Sequence, residues 1–467
     1  MEVDRGPPAN AAGIIVIFAV FGALFAFIYV SLFRKDDQAK EKDESEDNDD
    51  TAASLVNTES SRRKHVKPLK KVLRSLKHHQ FSDPCLISTF KGHTDRITSA
   101  AVSSNGKGLV TTGLDRAIFF YNIREAFSRS ISSVSGTRNN IPFDSLSRLC
   151  WSPDYNAIVV HKADAQTIEV LKGTKKPDGT LTGLEKVREF PKPITESLVG
   201  LSVAPGGQFI MTCEVTNILS LWDLRGELLT SIDTKQGHSL SATLSLDGRF
   251  IATSGFTPDV KIFEVAYEKG DNSFKSLKKC FDLTGHNSRV FCCSINTDSS
   301  KMATVSKDGT WRLYDTAVEY SKGQDPRLLV TGAVPNARNC SDAEACRVLL
   351  SPDNRVVLVS VVSSVLCFSS SSGNLVHSID NIYAGPIVDV FFDAANQFFI
   401  TIGDQQAHMF HNVAGHYTTI EDLEVSLKSA GYAGMKERIR TQLDNARKAL
   451  AKIDMKKKNE AEDNKKK

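Results

Sequence analysis

Short runs of alternating apolar and polar residues, separated by turn residues, dominate the chain from about residue 85 onward. The clearest example lies at residues 285–316. There a Gly-His pair precedes an alternating run, a polar turn, a second run, an Asp-Gly turn and a third run that ends on Tyr314-Asp315. This order predicts three short β-strands joined by tight turns. The same order recurs in less complete form elsewhere, so it is a repeat unit.

Turn residues mark seven such units between about residues 85 and 413, and a count of six or eight is the alternative. The first unit runs from Gly92-His93 through Asp115 to Tyr121-Asn122. The following units have their turns at residues 151–154, 204–207, 246–248, 297–300, 351–353 and 393–396. A short apolar strand at residues 85–90 precedes the first unit. We expect this strand to complete the last unit, so that both ends of the domain fasten a closed ring.

The recurring polar residues are of the types that form a buried hydrogen-bond relay. We expect His286 to bond Ser306, Asp308 to hold the turn, and Tyr314 to close the unit. Each such bond contributes about 0.5 to 1.5 kcal/mol, and breaking one in a dry interior costs more. In the other units the corresponding structural residues are His93, Asp115 and Trp222.

The relay is predicted to be complete in the fifth unit alone. Thr216 stands where the third unit should have its aspartate, and the sixth and seventh units lack the Gly-His pair. The fourth unit is assigned the pair Gly237-His238. We expect the units without a full relay to depend more on apolar packing.

The order of histidine, serine or threonine, aspartate and tryptophan or tyrosine resembles the WD-repeat signature. This resemblance implies an all-β fold, a seven-bladed WD40 β-propeller at residues 85–416. The chain contains no Gly-rich phosphate loop, HExxH sequence, paired-carboxylate constellation or nucleophile motif. We therefore predict a non-enzymatic protein with no catalytic residues, no metal site and no cofactor.

The N-terminus carries a membrane-anchor pattern. After a tail at residues 1–10, residues 11–33 form a nearly continuous apolar run, which predicts a transmembrane helix. A cleaved signal peptide is the alternative. Arg34 and Lys35 follow the run directly, and the positive-inside tendency then places the remaining chain in the cytosol.

A charged stalk follows the anchor. Residues 34–60 are predicted to be an acidic, disordered linker, since residues 36–50 hold nine acidic residues and two lysines. Residues 61–82 form a basic amphipathic segment with eight lysines and arginines and no acid. The eight are Arg62, Arg63, Lys64, Lys67, Lys70, Lys71, Arg74 and Lys77. They are candidates for binding anionic lipid or RNA, and a solvated linker docked on the propeller is the alternative.

Composition adds little beyond this separation of charge. The formal net charge is only +3, so the chain as a whole shows no electrostatic preference for one partner class. The nine cysteines include no CxxC motif, and we expect reduced, buried thiols in a reducing compartment. Cys292 and Cys293 are adjacent, but no second ligand pair lies nearby to form a metal site.

Three basic residues are candidates for contact with protein partners at the rim of the propeller. Arg96 and Arg289 occupy the same position after their Gly-His pairs, and Lys307 lies in the turn of the fifth unit. A basic rim patch of this kind would suit acidic or phosphorylated partner segments. The alternative is that these residues have ordinary structural pairing.

The C-terminal region predicts a helical tail at residues 418–455, followed by a disordered charged terminus at residues 456–467. Its second helix, at residues 435–455, carries an apolar stripe with heptad-like spacing. The stripe consists of Met435, Ile439, Leu443, Ala446, Leu450 and Ile453. Either it folds back on the propeller or it mediates self-association.

Several less generic segments also match a family. They are residues 255–261, residues 305–311, residues 318–320 with 324–326, and residues 410–412 before Gly415-His416. In these segments and in its order of anchor, stalk, propeller and tail, the chain resembles the transducin beta-like WD-repeat proteins of the endoplasmic reticulum membrane.

The resemblance implies an endoplasmic reticulum adaptor with a cytosolic propeller. It implies association with the stress-activated kinase that phosphorylates the alpha subunit of initiation factor 2. It also implies contact with messenger RNA or ribosomes during the unfolded protein response. Two other functions stay open. One is a guanine-nucleotide exchange factor for a small GTPase, and the other is an RNA or ribosome tether acting through the basic segment.

Overall fold

A computed structural model of the chain describes residues 81–466, apart from residues 130, 176–180, 192–193, 271, 341–345 and 430. For residues 452 and 454–466 it describes the backbone alone. The predicted transmembrane helix, the acidic linker and all eight basic residues of the stalk therefore lie outside the described residues.

Seven antiparallel sheets follow one another along the chain, which confirms the predicted seven-bladed propeller. Blade 1 contains β2 (Ile97–Val102), β3 (Gly108–Gly113), β4 (Ala117–Asn122) and β6 (Thr137–Asn140). Blade 2 contains β7 (Leu146–Trp151), β8 (Ala157–Lys162), β9 (Ile168–Lys175) and β10 (Leu181–Glu189). Blade 3 contains β11 (Leu198–Val203), β12 (Ile210–Glu214), β13 (Ile218–Trp222) and β14 (Leu228–Asp233).

The remaining blades repeat this arrangement. Blade 4 contains β15 (Ser239–Leu244), β16 (Phe250–Gly255), β17 (Val260–Tyr267) and β18 (Phe274–Leu283). Blade 5 contains β19 (Val290–Ile295), β20 (Lys301–Ser306), β21 (Thr310–Asp315) and β22 (Arg327–Ala333). Blade 6 contains β23 (Cys346–Leu350), β24 (Val356–Val361), β25 (Ser364–Ser369) and β26 (Leu375–Ile379). Blade 7 contains β27 (Ile387–Phe392), β28 (Phe398–Gly403), β29 (Gln406–His411) and β1 (Leu86–Lys91).

The predicted turn markers join the first and second strands of their blades. In blade 3 the Gly207 amide donates to the Ala204 carbonyl at 2.8 Å, and in blade 4 the Gly248 amide donates to the Ser245 carbonyl at 2.9 Å. Both glycines have φ near +73°. A glycine adopts this left-handed conformation without the steric cost that a side chain would add.

Blade 7 closes the ring with strands from both ends of the propeller domain, as predicted. β1 pairs antiparallel with β29, so Phe90 lies opposite Ala407 and Leu86 opposite Phe410. A short strand, β5 (Ser133–Ser135), adds to the other side of β1 in parallel. Phe90 is completely buried, and its ring makes an edge contact with Tyr121 of blade 1. The closing strand therefore also ties blade 7 to blade 1.

The first strand of each blade lines a central channel. Successive first strands contact one another, and β27 contacts β2 to complete the circle. They enclose a cavity of about 610 Å³. Apolar clusters between neighbouring blades hold the ring together. Between blades 5 and 6, for example, Trp311 packs on Phe368 with their ring centroids 5.5 Å apart.

All nine cysteines are free thiols, seven of them buried and Cys150 and Cys280 half-buried. Cys292 and Cys293 lie on β19 and face different sides of the strand. Cys292 belongs to the cluster shared with blade 6, and Cys293 to the cluster shared with blade 4. The cysteines of the propeller thus serve as small apolar packing residues.

Within the described residues, three α-helices accompany the propeller: α1 (Ile123–Ser128), α2 (Val413–Ser429) and α3 (Ala433–Lys466). Both helices of the tail start earlier than predicted, and the helical backbone of α3 continues through residues 456–466, where the sequence suggested disorder. Lysine and glutamate make up seven of these eleven residues, and both are favourable helix formers. Of the residues that the structure describes, no helix is both long enough and apolar enough to cross a membrane.

The apolar stripe of α3 folds back within the chain, which was one of the two predicted alternatives. Ile439, Leu443, Leu450 and Ile453 are buried, whereas Met435 is exposed. Leu450 and Ile453 join an apolar cluster with residues of blades 6 and 7. At the surface, Arg355 of blade 6 bonds Asp422 of α2 at 2.8 Å, and Arg447 of α3 bonds Glu424 of α2 at 2.7 Å. These contacts place the stripe in the interior of a single chain.

We predict that Phe90→Ala lowers the free energy of unfolding of the full chain by roughly 3 to 5 kcal/mol, because it leaves a cavity in the closing strand. Urea denaturation followed by tryptophan fluorescence measures this loss. Lys91→Ala, at the exposed neighbouring position, is the control and should change the value by less than about 0.5 kcal/mol. Similar midpoints for the two variants would contradict the closing role of β1.

Candidate functional site

A polar relay joins the entry loop of blade 5 to the turn between β20 and β21. His286 lies in the entry loop, and its Nδ1 is 2.8 Å from the Asp308 carboxylate in the turn. Its Nε2 is 2.7 Å from the hydroxyl of Thr304 on β20. A carboxylate only accepts hydrogen bonds, so Nδ1 carries the proton, and Nε2 then accepts from Thr304. The Asn287 amide also donates to Asp308, at 3.1 Å.

The predicted bond between His286 and Ser306 is wrong, because Thr304 takes that place. Ser306 is the last residue of β20, and its hydroxyl donates to the carbonyls of Ser288 and Arg289 at 3.1 and 2.9 Å. Thr304 lies two residues earlier, on the same face of the strand but deeper in the blade. The imidazole passes the strand end and reaches this deeper hydroxyl, so the serine secures the loop instead.

Blade 1 contains the same relay. His93 Nδ1 lies 2.9 Å from Asp115, and His93 Nε2 lies 2.8 Å from the hydroxyl of Thr111. The prediction that only the fifth unit keeps a complete relay is therefore wrong. Both errors arise because the relay hydroxyl was expected at the position of Ser306. In blade 1 that position is a glycine, Gly113, so the relay of blade 1 looked incomplete.

Blades 3 and 4 use only parts of the relay. In blade 3, Trp222 donates through Nε1 to the Thr212 hydroxyl at 2.9 Å. In blade 4, His238 is exposed, so the Gly-His pair that marked the start of this unit supplies no relay histidine. The buried side chain is Gln236, which donates to the carbonyl of Thr253 at 2.8 Å. An amide thus replaces the imidazole in this entry loop.

In blade 7 the entry loop is also hydrogen-bonded to the neighbouring strand and turn, but by residues that the sequence analysis did not identify. Tyr383 of the entry loop donates to the Thr401 carbonyl at 2.7 Å. Asp404 in the turn accepts from the backbone amides of Ala384 and Gly385 at 2.8 and 3.1 Å. The turn and the entry loop are therefore joined by hydrogen bonds without a histidine.

Burial sets the protonation of the relays. Desolvation lowers the pKa of His286 and of His93, and the hydrogen bond from each to its aspartate offsets only part of this effect. Burial alone would raise the pKa of Asp308, but hydrogen bonds from Thr310 and His286 outweigh it and lower that pKa. Both relays therefore hold a neutral histidine, which in blade 5 lies beside the ionised Asp308, and they stabilise the fold.

The three candidate rim residues lie on one face of the ring. We call this the upper face, formed by the loops that enter each blade and by the turns between second and third strands. Arg289 and Lys307 meet in blade 5, where the Lys307 amide donates to the Arg289 carbonyl at 3.0 Å. Arg96 lies in blade 1, separated from them by blades 6 and 7, so the predicted single patch does not form.

The two arginines also have different surroundings. The guanidinium of Arg289 lies over the rings of Phe291 and Phe256, 5.5 and 5.9 Å from their centroids, and is half-buried. This cation–π stacking gives Arg289 a structural role. Arg96 is exposed at the mouth of the central channel.

Large apolar side chains are exposed on the same upper face. Three lie in the turns between second and third strands, and one lies in the loop that enters blade 2. They are Leu114, Phe256 and Val362, exposed by 49%, 61% and 45%, and Phe143, exposed by 92%. They lie in blades 1, 4 and 6 and in the loop before blade 2, so the upper face offers several separate apolar contacts to a partner.

The inner strands bring charged residues together in the channel. One level of the ring consists, in blade order, of Ser99, Arg148, Gly200, Ser241, Cys292, Arg347 and Asp389. Burial raises the pKa of Asp389, although the charges of Arg347 and Arg148 act against it. No sequence motif marks these positions. Within the described residues there is no group of three or more histidine, cysteine or acidic side chains that could hold a metal ion.

Seven four-stranded blades, a closed seam and His-Asp-Thr relays define a WD-repeat β-propeller. The family model described as WD domain, G-beta repeat matches residues 84–122 and 277–315, which include the two blades with complete relays. The chain is 34% identical to transducin beta-like protein 2 of Mus musculus and 35% identical to that of Homo sapiens. Each match covers 80% of this chain and 82% of the relative. The chain belongs to the transducin beta-like protein 2 family.

A more distant likeness is confined to part of the chain. The ribosome biogenesis protein YTM1 of Podospora anserina is 24% identical over 33% of this chain and 31% of its own length.

We predict that Thr304→Val lowers the free energy of unfolding by about 1 to 3 kcal/mol, because it leaves the buried Nε2 of His286 without a donor. Urea denaturation measures the change. Thr331→Val, at an exposed position on the outer strand β22, is the matched control and should shift the value by less than about 0.5 kcal/mol. A loss for Thr304→Val no larger than that of the control would contradict the assignment of the relay.

We also predict that acidification destabilises the propeller from about pH 6.5 downward. Burial lowers the pKa of His93 and His286, and that of His161 to about 4, so the unfolded chain binds more protons at these residues. Their stabilisation is complete above the unfolded pKa and is lost as the pH falls towards 4. The measurement compares urea midpoints at about pH 7.5 and 5.5, a range above the titration of the carboxylates.

A histidine variant tests the source of this dependence. His286→Gln should reduce the change in midpoint between the two pH values, whereas His238→Gln, at an exposed position, should leave it as in the unmodified chain. A midpoint that stays constant between the two pH values would show that the buried histidines do not titrate as predicted.

Proposed function

We propose that the chain is a single-pass, membrane-anchored scaffold of the endoplasmic reticulum whose propeller faces the cytosol and gathers protein partners. Membership of the transducin beta-like protein 2 family supports a scaffold or adaptor role. The apolar run at residues 11–33, followed by Arg34 and Lys35, supports the anchor and its orientation. Nine reduced thiols suit a reducing compartment.

One observation carries the proposal: the upper face of a rigid ring exposes aromatic and aliphatic side chains. Phe256 projects from a turn in which its amide donates to the His238 carbonyl at 3.0 Å, so little backbone entropy is lost when a partner covers it, and Phe143 projects from the loop that enters blade 2. Aromatic side chains of this kind often supply most of the binding energy of an interface. This arrangement suits a docking platform.

For the partner, we propose the stress-activated kinase that phosphorylates the alpha subunit of initiation factor 2, within the unfolded protein response. The sequence resemblance described above is the support for this step. A tether for RNA or ribosomes is the second candidate function. The observation that favours it is the basic segment at residues 61–82, with eight lysines and arginines and no acid.

Proximity labelling from the full-length chain in cells, combined with protease protection of isolated membranes, tests the proposal. We expect labelling of cytosolic proteins, including the kinase, and a propeller that protease removes without detergent. Phe143→Ser with Phe256→Ser should reduce labelling severalfold, because two exposed apolar anchors are lost. Val187→Ser, at an exposed position on the outer strand β10, is the matched control. A protected propeller would contradict the orientation, and labelling equal in all variants would contradict the docking face.

A guanine-nucleotide exchange factor is the alternative of a different class. Release of labelled GDP from candidate small GTPases, with and without the full-length chain, distinguishes the two. Acceleration of release would contradict a function limited to scaffolding.

A further inference from the structure

A recess opens on the upper face at the mouth of the central channel, where blades 1, 2, 3 and 7 meet. Its volume is about 250 Å³. The residues that matter in its lining are Arg96, Leu114, Ser147, Arg148, Leu198 and Val388. Arg148 also lines the channel itself, so the recess and the channel share one guanidinium.

The side chains of the two arginines are held differently. Arg148 is half-buried, and its Nε donates to the Leu198 carbonyl at 3.1 Å, which fixes the plane of the guanidinium. Arg96 is exposed, and its side chain makes no hydrogen bond or ion pair within the described part of the chain. Its backbone is engaged at both groups: the amide donates to the Asp95 carboxylate at 2.7 Å, and the carbonyl accepts from the Leu114 amide at 2.9 Å. A fixed guanidinium therefore stands beside one that can still adjust to a ligand.

The level of the channel that carries Arg148 holds two arginines and one aspartate. Asp389 shares its level of the channel with Arg148 and Arg347, but burial raises its pKa, so its carboxyl favours ionisation less than an ordinary aspartate. A charge in such a partly dry recess also interacts more strongly with an opposite charge than it would in water. The mouth of the channel therefore favours an anionic group.

The rest of the recess combines aliphatic side chains with the hydroxyls of Thr98, Ser147 and Ser197. Leu198 and Val388 are buried in its wall, and Leu114 stands half exposed at its edge. None of the lining side chains is aromatic, so the recess offers no platform on which a nucleic-acid base could stack. Its volume is also below the roughly 300 to 1,000 Å³ typical of sites for small organic ligands. Charge beside aliphatic surface, at this size, suits one or two side chains of a peptide.

We propose that this recess binds an acidic segment of a partner protein. A glutamate or aspartate carboxylate pairs with Arg96, next to the fixed guanidinium of Arg148, and a neighbouring aliphatic side chain of the segment packs on Leu114. The proposal rests on the proposed scaffold function. It specifies the chemistry of one contact between the scaffold and a partner protein. Arg289, at the equivalent position in blade 5, has no such role because it stacks on Phe256 and Phe291.

Fluorescence polarisation with the full-length chain tests the proposal. The probe is a labelled, end-capped peptide of alternating glutamate and leucine, and the comparison probe has glutamine in place of glutamate. We expect Arg96→Glu to weaken binding of the acidic probe about tenfold or more, because it replaces an attraction by a repulsion. Arg188→Glu, at an exposed position on β10, makes the same change of charge elsewhere and should leave binding unchanged. Leu114→Ser should weaken binding severalfold.

Three results would overturn the proposal. They are no binding of the acidic probe, equal binding by the Arg96→Glu and Arg188→Glu variants, and tight binding of an oligouridylate probe that is lost in Arg96→Glu. The last result would assign the recess to RNA.

Proximity labelling separates this inference from the proposed function. Partners that persist unchanged in the Arg96→Glu variant would refute the recess and leave the scaffold intact, whereas absence of partners from the unmodified chain would refute the scaffold.

Discussion

The pairing of β1 with β29 is the constraint on which the ring depends. Without β1, the outer edge of blade 7 would expose the unpaired backbone groups of β29, and the apolar surface next to Phe90 would lose its cover. Sheets tolerate open edges poorly, and a closed ring removes this one by using a strand from the opposite end of the domain. The two partners are more than 300 residues apart, as the Thr89–His408 contact shows. The seam therefore forms only when the whole propeller is in place.

The relays solve a second, local problem. Each blade brings a loop and a tight turn together above a dry interior, where an unpaired polar group is costly. Blades 1 and 5 solve it with histidine, aspartate and threonine, blade 4 with Gln236, and blade 7 with Tyr383 and Asp404. The constraint lies in the geometry of the loop and the turn, and several side chains can satisfy it. This explains how a ring with an eroded signature keeps seven blades.

The parts of this structure that could be predicted from sequence are those governed by local rules. Alternation of apolar residues and the turn markers predicted the blade count and the closing strand. The relay partner could not be chosen, because Thr304 and Ser306 share one face of a strand and both carry a hydroxyl. For His238 a usable signal did exist. His93 and His286 each precede their aspartate by 22 residues, whereas no aspartate follows His238 at that distance. Arg96 was marked as a rim residue by its position after a Gly-His pair, but its place beside Arg148 had no signal, since that depends on the register between four blades.

The seam also determines how the domain would respond to a pulling force. Because β1 and β29 are antiparallel, the chain enters β1 beside the point at which it leaves β29, and the His411 amide bonds the Cys85 carbonyl there at 2.9 Å. Tension between the two ends of the domain would load the hydrogen bonds of the seam one after another from this point, as in peeling, and not all together. Phe81 packs against His408 and Phe410 at that end, with ring centroids 5.5 and 5.8 Å away. The mechanical strength of the propeller is thus set by a few contacts at one end of a strand.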